Sequence, residues 1–230
     1  MVIGDWWYHY SLFANHFFVM ISKLRPTFGR FFSEPIVRLI ARTGIPPNAL
    51  TVIGFLLNAV VAGMLAGGHL FLGGFLVLFS GWFDMLDGAL ARATGKSTRF
   101  GTLLDSTVDR FSEAVLFLGL LIFYLEQGVG ANKFAPYLEI LLVYFSIVGS
   151  IMVSYVRARA EGLGLSLEVG LLARPERVVL LALGLILSKI SPVALLAVLW
   201  ILAVGTILTV LHRLIFAWRQ TKDDQRVDFK

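Results

Sequence analysis

The sequence predicts an all-α membrane protein, with six transmembrane helices preceded by an amphipathic helix lying at the membrane interface. Three observations carry this expectation. Hydrophobic residues make up 57% of the 230 positions and charged residues only 15%, where a soluble domain has about half and about a quarter. Apolar runs near 48–66, 70–92, 100–125, 135–159, 175–190 and 192–216 approach the ~20 residues that cross ~30 Å of hydrocarbon. All but three of the 20 Lys and Arg lie before the first run, at or near the junctions between runs two and three or four and five, or from near the end of the sixth onward. Lys133 and Lys189 fall on the opposite side and Arg110 falls inside a run. That imbalance places both termini in the cytoplasm, which requires an even number of spans.

The elements follow in order. Residues 1–46 form an N-terminal interfacial segment. Its start, MVIGDWWYHYSLFANHFF, has neither a basic n-region nor a small-residue cleavage site, so it is expected to remain in the mature protein. Its aromatic cluster suits the headgroup level. In FFSEPIVRLIART, residues 31–43, Ser33 is a candidate cap, and Ile36, Leu39 and Ile40 share one face with Arg38 and Arg42 off it, the pattern of an interfacial helix. Residues 48–216 then form the transmembrane core and 217–230 a cytoplasmic tail. Asn48 reads as a cap for the first span or as a ligand contact, and Gly63-x3-Gly67 reads as a helix contact. No repeat, low-complexity tract or long linker divides the chain, which reads as a single domain over 1–230. The absence of Cys excludes disulfide and thiol chemistry. The His at 9, 16, 69 and 212 lack the paired spacing of metal ligands.

Against this apolar background, residues 84–109 read DMLDGALARATGKSTRFGTLLDSTVD. On a helix Asp84, Asp87, Gly88 and Ala91 share one face, and Gly101, Asp105 and Asp109 share a face of the next helix. The connection from Arg92 to Arg99 is short, so the two helices are antiparallel neighbours and the four carboxylates meet in one cleft. Like charges so close require a compensating cation. Carboxylate oxygens without His or Cys suit Mg²⁺ or Mn²⁺, and two such ions are a common device for displacement at phosphorus. At 1.5 Å per residue the acids lie roughly 12 to 14 Å below the cytoplasmic helix ends, a depth suited to a lipid with a phosphate head. Gly81, Gly88, Ala91 and Gly101 leave room for that head. The alternative reading is a proton- or cation-coupled transporter, because intramembrane acids also line ion paths. The outer halves of the spans, however, hold few ionisable residues beyond Glu113, Glu126 and Glu139.

Written as Asp84-x2-Asp87-Gly88-x2-Ala91-Arg92-x8-Gly101-x3-Asp105-x3-Asp109, the stretch resembles the signature of the CDP-alcohol phosphotransferase family at all eight fixed positions. The resemblance extends over most of the chain apart from about the first 20 residues. It implies that Asp84, Asp87, Asp105 and Asp109 hold the metals, the pair of Mg²⁺ or Mn²⁺ ions described above, with Asp109 also the general base on the acceptor hydroxyl. It implies that Asp87, Gly88, Ala91, Arg92, Gly101 and Asp105 surround the CDP moiety. GIPPNALT resembles the family's segment at the first span, which implies that Asn48 and Thr51 also hold the nucleotide. The implied donor is CDP-diacylglycerol or a CDP-archaeol-type lipid. A homodimer in the prokaryotic cell membrane, with the site facing the cytoplasm and no nucleic acid partner, completes the expectation.

The acceptor is read from SYVRARAEGLGLSLEVGLLARPER, residues 154–177. Arg157, Arg159, Arg174 and Arg177 present planar forks suited to phosphate oxygens, which points to a phosphorylated polyol. The bland reading is positive-inside bias alone. The segment resembles that of prokaryotic phosphatidylinositol phosphate synthases, archaeal ether-lipid enzymes included, more than that of phosphatidylglycerophosphate synthases. Inositol 1-phosphate is therefore the expected acceptor and glycerol 3-phosphate the alternative, and the resemblance implies Arg157, Arg174 and Arg177 as the residues at the acceptor's phosphate.

Overall fold

A computed structural model of the chain describes residues 34–127, 137–167, 169, 170 and 172–227. The aromatic N-terminal segment and the Ser33 cap lie outside the described residues. Those residues fold into seven helices: α1 at 34–43, α2 at Pro47–Ala66, α3 at Leu70–Ala93, α4 at Arg99–Glu126, α5 at Leu138–Glu161, α6 at Arg174–Leu187 and α7 at Pro192–Val227. Among the described residues the regular structure is all helical, as expected from the sequence.

Four helical segments are long and apolar enough to cross a membrane by themselves: Pro47–Ala66, Leu70–Ala93, Leu138–Glu161 and Pro192–Lys222, with mean hydropathies of 1.5 to 2.6. The expected third and fifth spans differ for physical reasons. α4 is long enough at 28 residues but carries Asp105, Asp109, Arg110 and Glu113. α6 has only 14 residues, about 21 Å at 1.5 Å each, which is short of the hydrocarbon thickness. The expected tail also differs, because α7 continues as helix through Val227. Phe216 and Ala217 pack there against the cluster of Val156, Ala160 and Leu167.

The six long helices close into a ring. Going round it, α2 packs on α4, α4 on α5, α5 on α7, α7 on α6, α6 on α3, and α3 back on α2. Apolar side chains fill one end of the interior, including Leu65, Val77, Phe117, Leu120, Leu185 and Leu199. The other end is polar. It is lined from the N-terminal halves of α2, α4 and α6 and the C-terminal halves of α3, α5 and α7. Outside the ring, Leu56, Leu118, Tyr144, Trp200 and Leu208 are exposed, a surface suited to lipid.

α1 packs across the N-terminal end of α2 and the C-terminal end of α3. Val37 is buried and joins Ile36, Ile40 and Ala41 against Leu50, Leu86 and Leu90, while Leu39 is 65% exposed. The inward face therefore centres on Val37 and not, as the sequence pattern suggested, on Leu39. The helix has protein beneath it as well as an outward apolar residue.

Two glycines permit the closest crossings. A Cβ on Gly119 would run into the Ala62 backbone of α2, and one on Gly149 would run into Thr206 of α7. Gly63 of the expected contact motif faces open space, so the α2–α4 crossing is made by Gly119 in its place. Gly119→Val is expected to lower stability by about 1–3 kcal/mol, the cost typical of overpacking, read as a drop in thermal unfolding midpoint of the detergent-solubilised protein.

Candidate active site

Three helices build the polar end of the ring around the acids. α3 presents Asp84 and Asp87 with Gly88 and Ala91 after them, and α4 presents Gly101, Asp105 and Asp109. Thr98 caps α4 by accepting the Gly101 N–H at 3.0 Å, which fixes where that helix begins. α2 adds a face that sequence reading left incomplete: Thr51, Gly54 and Asn58 at i, i+3 and i+7. The Thr51 hydroxyl donates to Asp87 Oδ2 at 2.6 Å, and Asp87 Oδ1 accepts the Gly88 N–H at 2.5 Å. A Cβ on Gly54 would lie 2.5 Å from Asp84 Oδ1, so Asp84 uses the space that a side chain would fill. Asn58 is buried at 3% exposure, and its Nδ2 donates to the Gly54 carbonyl at 2.9 Å beside Asp84. Its spacing from Thr51 was the available signal.

A cleft of about 180 Å³ opens beside these residues. Its walls include Asn48 and Thr51 from α2, Asp87, Gly88, Ala91 and Arg92 from α3, and Gly101 and Asp105 from α4. These are all the residues expected around the nucleotide, and the structure brings them together. Lys96, Ser97 and Thr98 line it too, from the α3–α4 connection that the motif leaves unspecified. Asn48 is not a cap: Pro46 holds the N-cap position without a side-chain bond, and Asn48 directs its oxygen at Gly101, 3.1 Å from where a Cβ would stand.

Asp84 and Asp109 lie outside that cleft lining and share a cation from α6. Arg174 Nη2 is 2.8 Å from Asp84 Oδ2 and its Nη1 is 2.9 Å from Asp109 Oδ1. The four aspartates lie within electrostatic range of one another. Among the described residues, however, no three acids are gathered as tightly as a metal shell requires. The guanidinium between Asp84 and Asp109 and the Thr51 bond on Asp87 account for the spread. The donor set still fits a hard divalent cation, because it is made of carboxylate oxygens alone and already concentrates on one positive group.

The three arginines expected at the acceptor phosphate are not gathered as a set. Arg157 pairs with Glu161 at 2.8 Å with half of each side chain exposed. Arg177 is 1% exposed. It donates from Nε and Nη2 to the two Glu113 oxygens at 2.6 Å each, and from Nη1 to the Leu172 carbonyl at 2.9 Å. Its fork is filled by protein partners, which corrects the expectation that Arg177 meets the acceptor. Arg174 alone reaches the acids. Sequence reading also missed Arg213, which is buried and bonds the Val153 and Val169 carbonyls. It lies within electrostatic range of Arg157 and Arg177. An Arg inside an apolar run was the signal.

The fold and site define a membrane-embedded phosphatidyltransferase. The profile of the CDP-alcohol phosphatidyltransferase family matches residues 45–221, and the chain belongs to that family. It is 37% identical to a phosphatidylinositol phosphate synthase of Mycobacteroides abscessus, over 83% of this chain and 84% of that one. It is 36% identical to an archaetidylinositol phosphate synthase of Methanothermobacter thermautotrophicus, over 88% and 96%. Crystal structures of the Mycobacterium tuberculosis phosphatidylinositol phosphate synthase superpose with TM-scores of 0.72 with CDP-DAG bound and 0.73 in complex with manganese and citrate. Both are 36% identical and cover 81% of this chain, and 93% and 88% of those chains. Family membership favours the enzyme over the transporter alternative.

Gly54→Ala is expected to displace the Asp84 carboxylate and slow turnover roughly 10- to 100-fold, since misplacement of about an ångström has effects of that order. CMP release by the folded variant measures it.

Proposed function

We propose that the protein transfers the phosphatidyl group of CDP-diacylglycerol, or of its archaeol-type ether counterpart, to a hydroxyl of inositol 1-phosphate. CMP leaves and phosphatidylinositol phosphate forms. The observation that carries this reading is the meeting of the eight nucleotide-contact residues in one cleft beside an acid cluster that already holds a guanidinium. The names of the similar proteins support the same acceptor.

Each group has a definite task. Asn48, Thr51, Gly88, Ala91 and Gly101 leave and shape the space for the nucleotide, and Arg92 sets its charge toward the diphosphate. Asp84, Asp87, Asp105 and Asp109 would hold the divalent metal, two Mg²⁺ or Mn²⁺ ions in this reading. When bound, the metal neutralises charge on the diphosphate and on departing CMP. Asp109 accepts the proton of the attacking hydroxyl. Arg174 stands next to Asp109 and receives the acceptor's phosphate there, with Arg157 and Arg213 adding positive field from α5 and α7.

The wider arrangement belongs to the same proposal. The whole chain acts as one domain, with 1–46 at the interface. Six helices span the membrane, with α4 and α6 sheltered by their ring neighbours, and the polar end faces the cytoplasm of a prokaryotic cell, where Lys and Arg concentrate. The active form is a homodimer.

The decisive experiment is CMP release from CDP-diacylglycerol by purified protein with Mg²⁺, comparing inositol 1-phosphate, glycerol 3-phosphate, inositol and serine. Stimulation by inositol 1-phosphate alone, abolished by chelator, is the expected result; stimulation by glycerol 3-phosphate in its place overturns the acceptor. Asp109→Asn should retain CDP-lipid binding and lose about two orders of magnitude or more in kcat, the usual scale for a general base. Full turnover in that variant would remove Asp109 as the base.

A further inference from the structure

The two charged contacts between α4 and α6 form a ladder with unequal rungs. Asp109 and Glu113 are one turn apart on α4, and Arg174 and Arg177 are nearly one turn apart on α6. The upper rung joins Arg174 to Asp109 at 2.9 Å through a single oxygen, with each side chain about a quarter exposed. The lower rung joins Arg177 to Glu113 through both oxygens at 2.6 Å, with side chains 1% and 7% exposed. One rung is open to exchange and the other is closed.

α4 and α6 are not neighbours in the ring. α6 packs on α3 and α7, and α4 packs on α2 and α5. At their apolar ends the two helices meet only through the shared core, Leu116, Phe117 and Leu120 of α4 with Leu181, Ala182 and Leu185 of α6, and at the polar end the contacts that join them are ionic. The α3–α6 contact is tight at Gly74, where a Cβ would meet Ile186 and the Ala182 carbonyl, and looser toward the polar end at Gly81, where it would meet Val178 at 3.2 Å. The same Arg177 also binds the Leu172 carbonyl at 2.9 Å, which ties down the chain just before α6 begins at Arg174.

We infer that Glu113 and Arg177 form a positioning pair, holding the start of α6 so that Arg174 stands over the acids where the acceptor's phosphate arrives. Neither residue touches substrate. The bidentate fork gives direction as well as attraction, because two parallel bonds fix rotation about the helix axis where a point charge leaves it free. The inference rests on the proposed role of Arg174 toward the acceptor.

The test compares acceptor KM, kcat and CDP-lipid KM in full-length protein, by CMP release with saturating Mn²⁺, for Arg174→Ala, Glu113→Gln, Arg177→Lys and the double variant Glu113→Leu/Arg177→Met. Removing one partner leaves the other charge buried, so Glu113→Gln is expected to lower the unfolding midpoint as well as raise acceptor KM. The apolar double variant removes both charges and should restore the midpoint. Its acceptor KM should nevertheless stay raised by about tenfold or more, the worth of one lost charged hydrogen bond, with CDP-lipid KM unchanged. Arg177→Lys, with charge but no fork, should fail to restore it. A double variant with wild-type midpoint and wild-type acceptor KM, beside a raised KM in Arg174→Ala, overturns the positioning role alone. An unchanged acceptor KM in Arg174→Ala overturns the role of Arg174 and the inference with it.

Discussion

Four carboxylates inside a membrane protein must be compensated by positive charge, and the arrangement of the polar end follows from that requirement. Burial removes the water that would screen them, so their repulsion grows as the dielectric falls. Arg174 answers it from α6, bonded to both Asp84 and Asp109. Asp87 is held differently, by the Thr51 hydroxyl and its own neighbour's N–H. Asp84, Asp87 and Asp109 are therefore kept apart and individually satisfied, a state from which a divalent cation can gather them with Asp105.

The ring makes this compensation possible. Its apolar end, from Leu65 to Leu199, supplies close packing, and Gly119 and Gly149 let the helices approach until backbones almost touch. With that end fixed, the opposite ends of the helices are free to carry groups that pack poorly. Burying Arg177 at 1% exposure would be costly alone. It is tolerated because Glu113 and the Leu172 carbonyl use its donors. A rigid apolar half and a charged half thus divide the work of stability and chemistry along every helix.

Family membership and geometry meet at the nucleotide cleft. Residues separated by up to 57 positions, from Asn48 to Asp105, line one space, although the motif itself begins only at Asp84. α2 joins that motif through Thr51 and Gly54, one by bonding an aspartate and the other by leaving it room. Lys96 and Thr98, on the short α3–α4 connection, extend the lining beyond the fixed positions.

The helical class and the polar faces of α3 and α4 were legible in the sequence, because periodicity and spacing fix which side chains share a helix face, whereas the cleft residues were named through the resemblance to the family. Glu113 continues the four-residue series of Gly101, Asp105 and Asp109, so its face was legible as well. Its partner was not. Asn48 looked equally like a cap, and Arg157, Arg174 and Arg177 looked equivalent, because local sequence records an arginine's presence and not what stands opposite its fork. Arg157 meets Glu161 one turn along its own helix, but the ring decided that Arg174 meets the acids and Arg177 is buried on Glu113. It also brought Arg213 to backbone carbonyls from distant segments. Pairing across a bundle depends on which helices are neighbours and at what register, and only the tertiary packing of all six sets that.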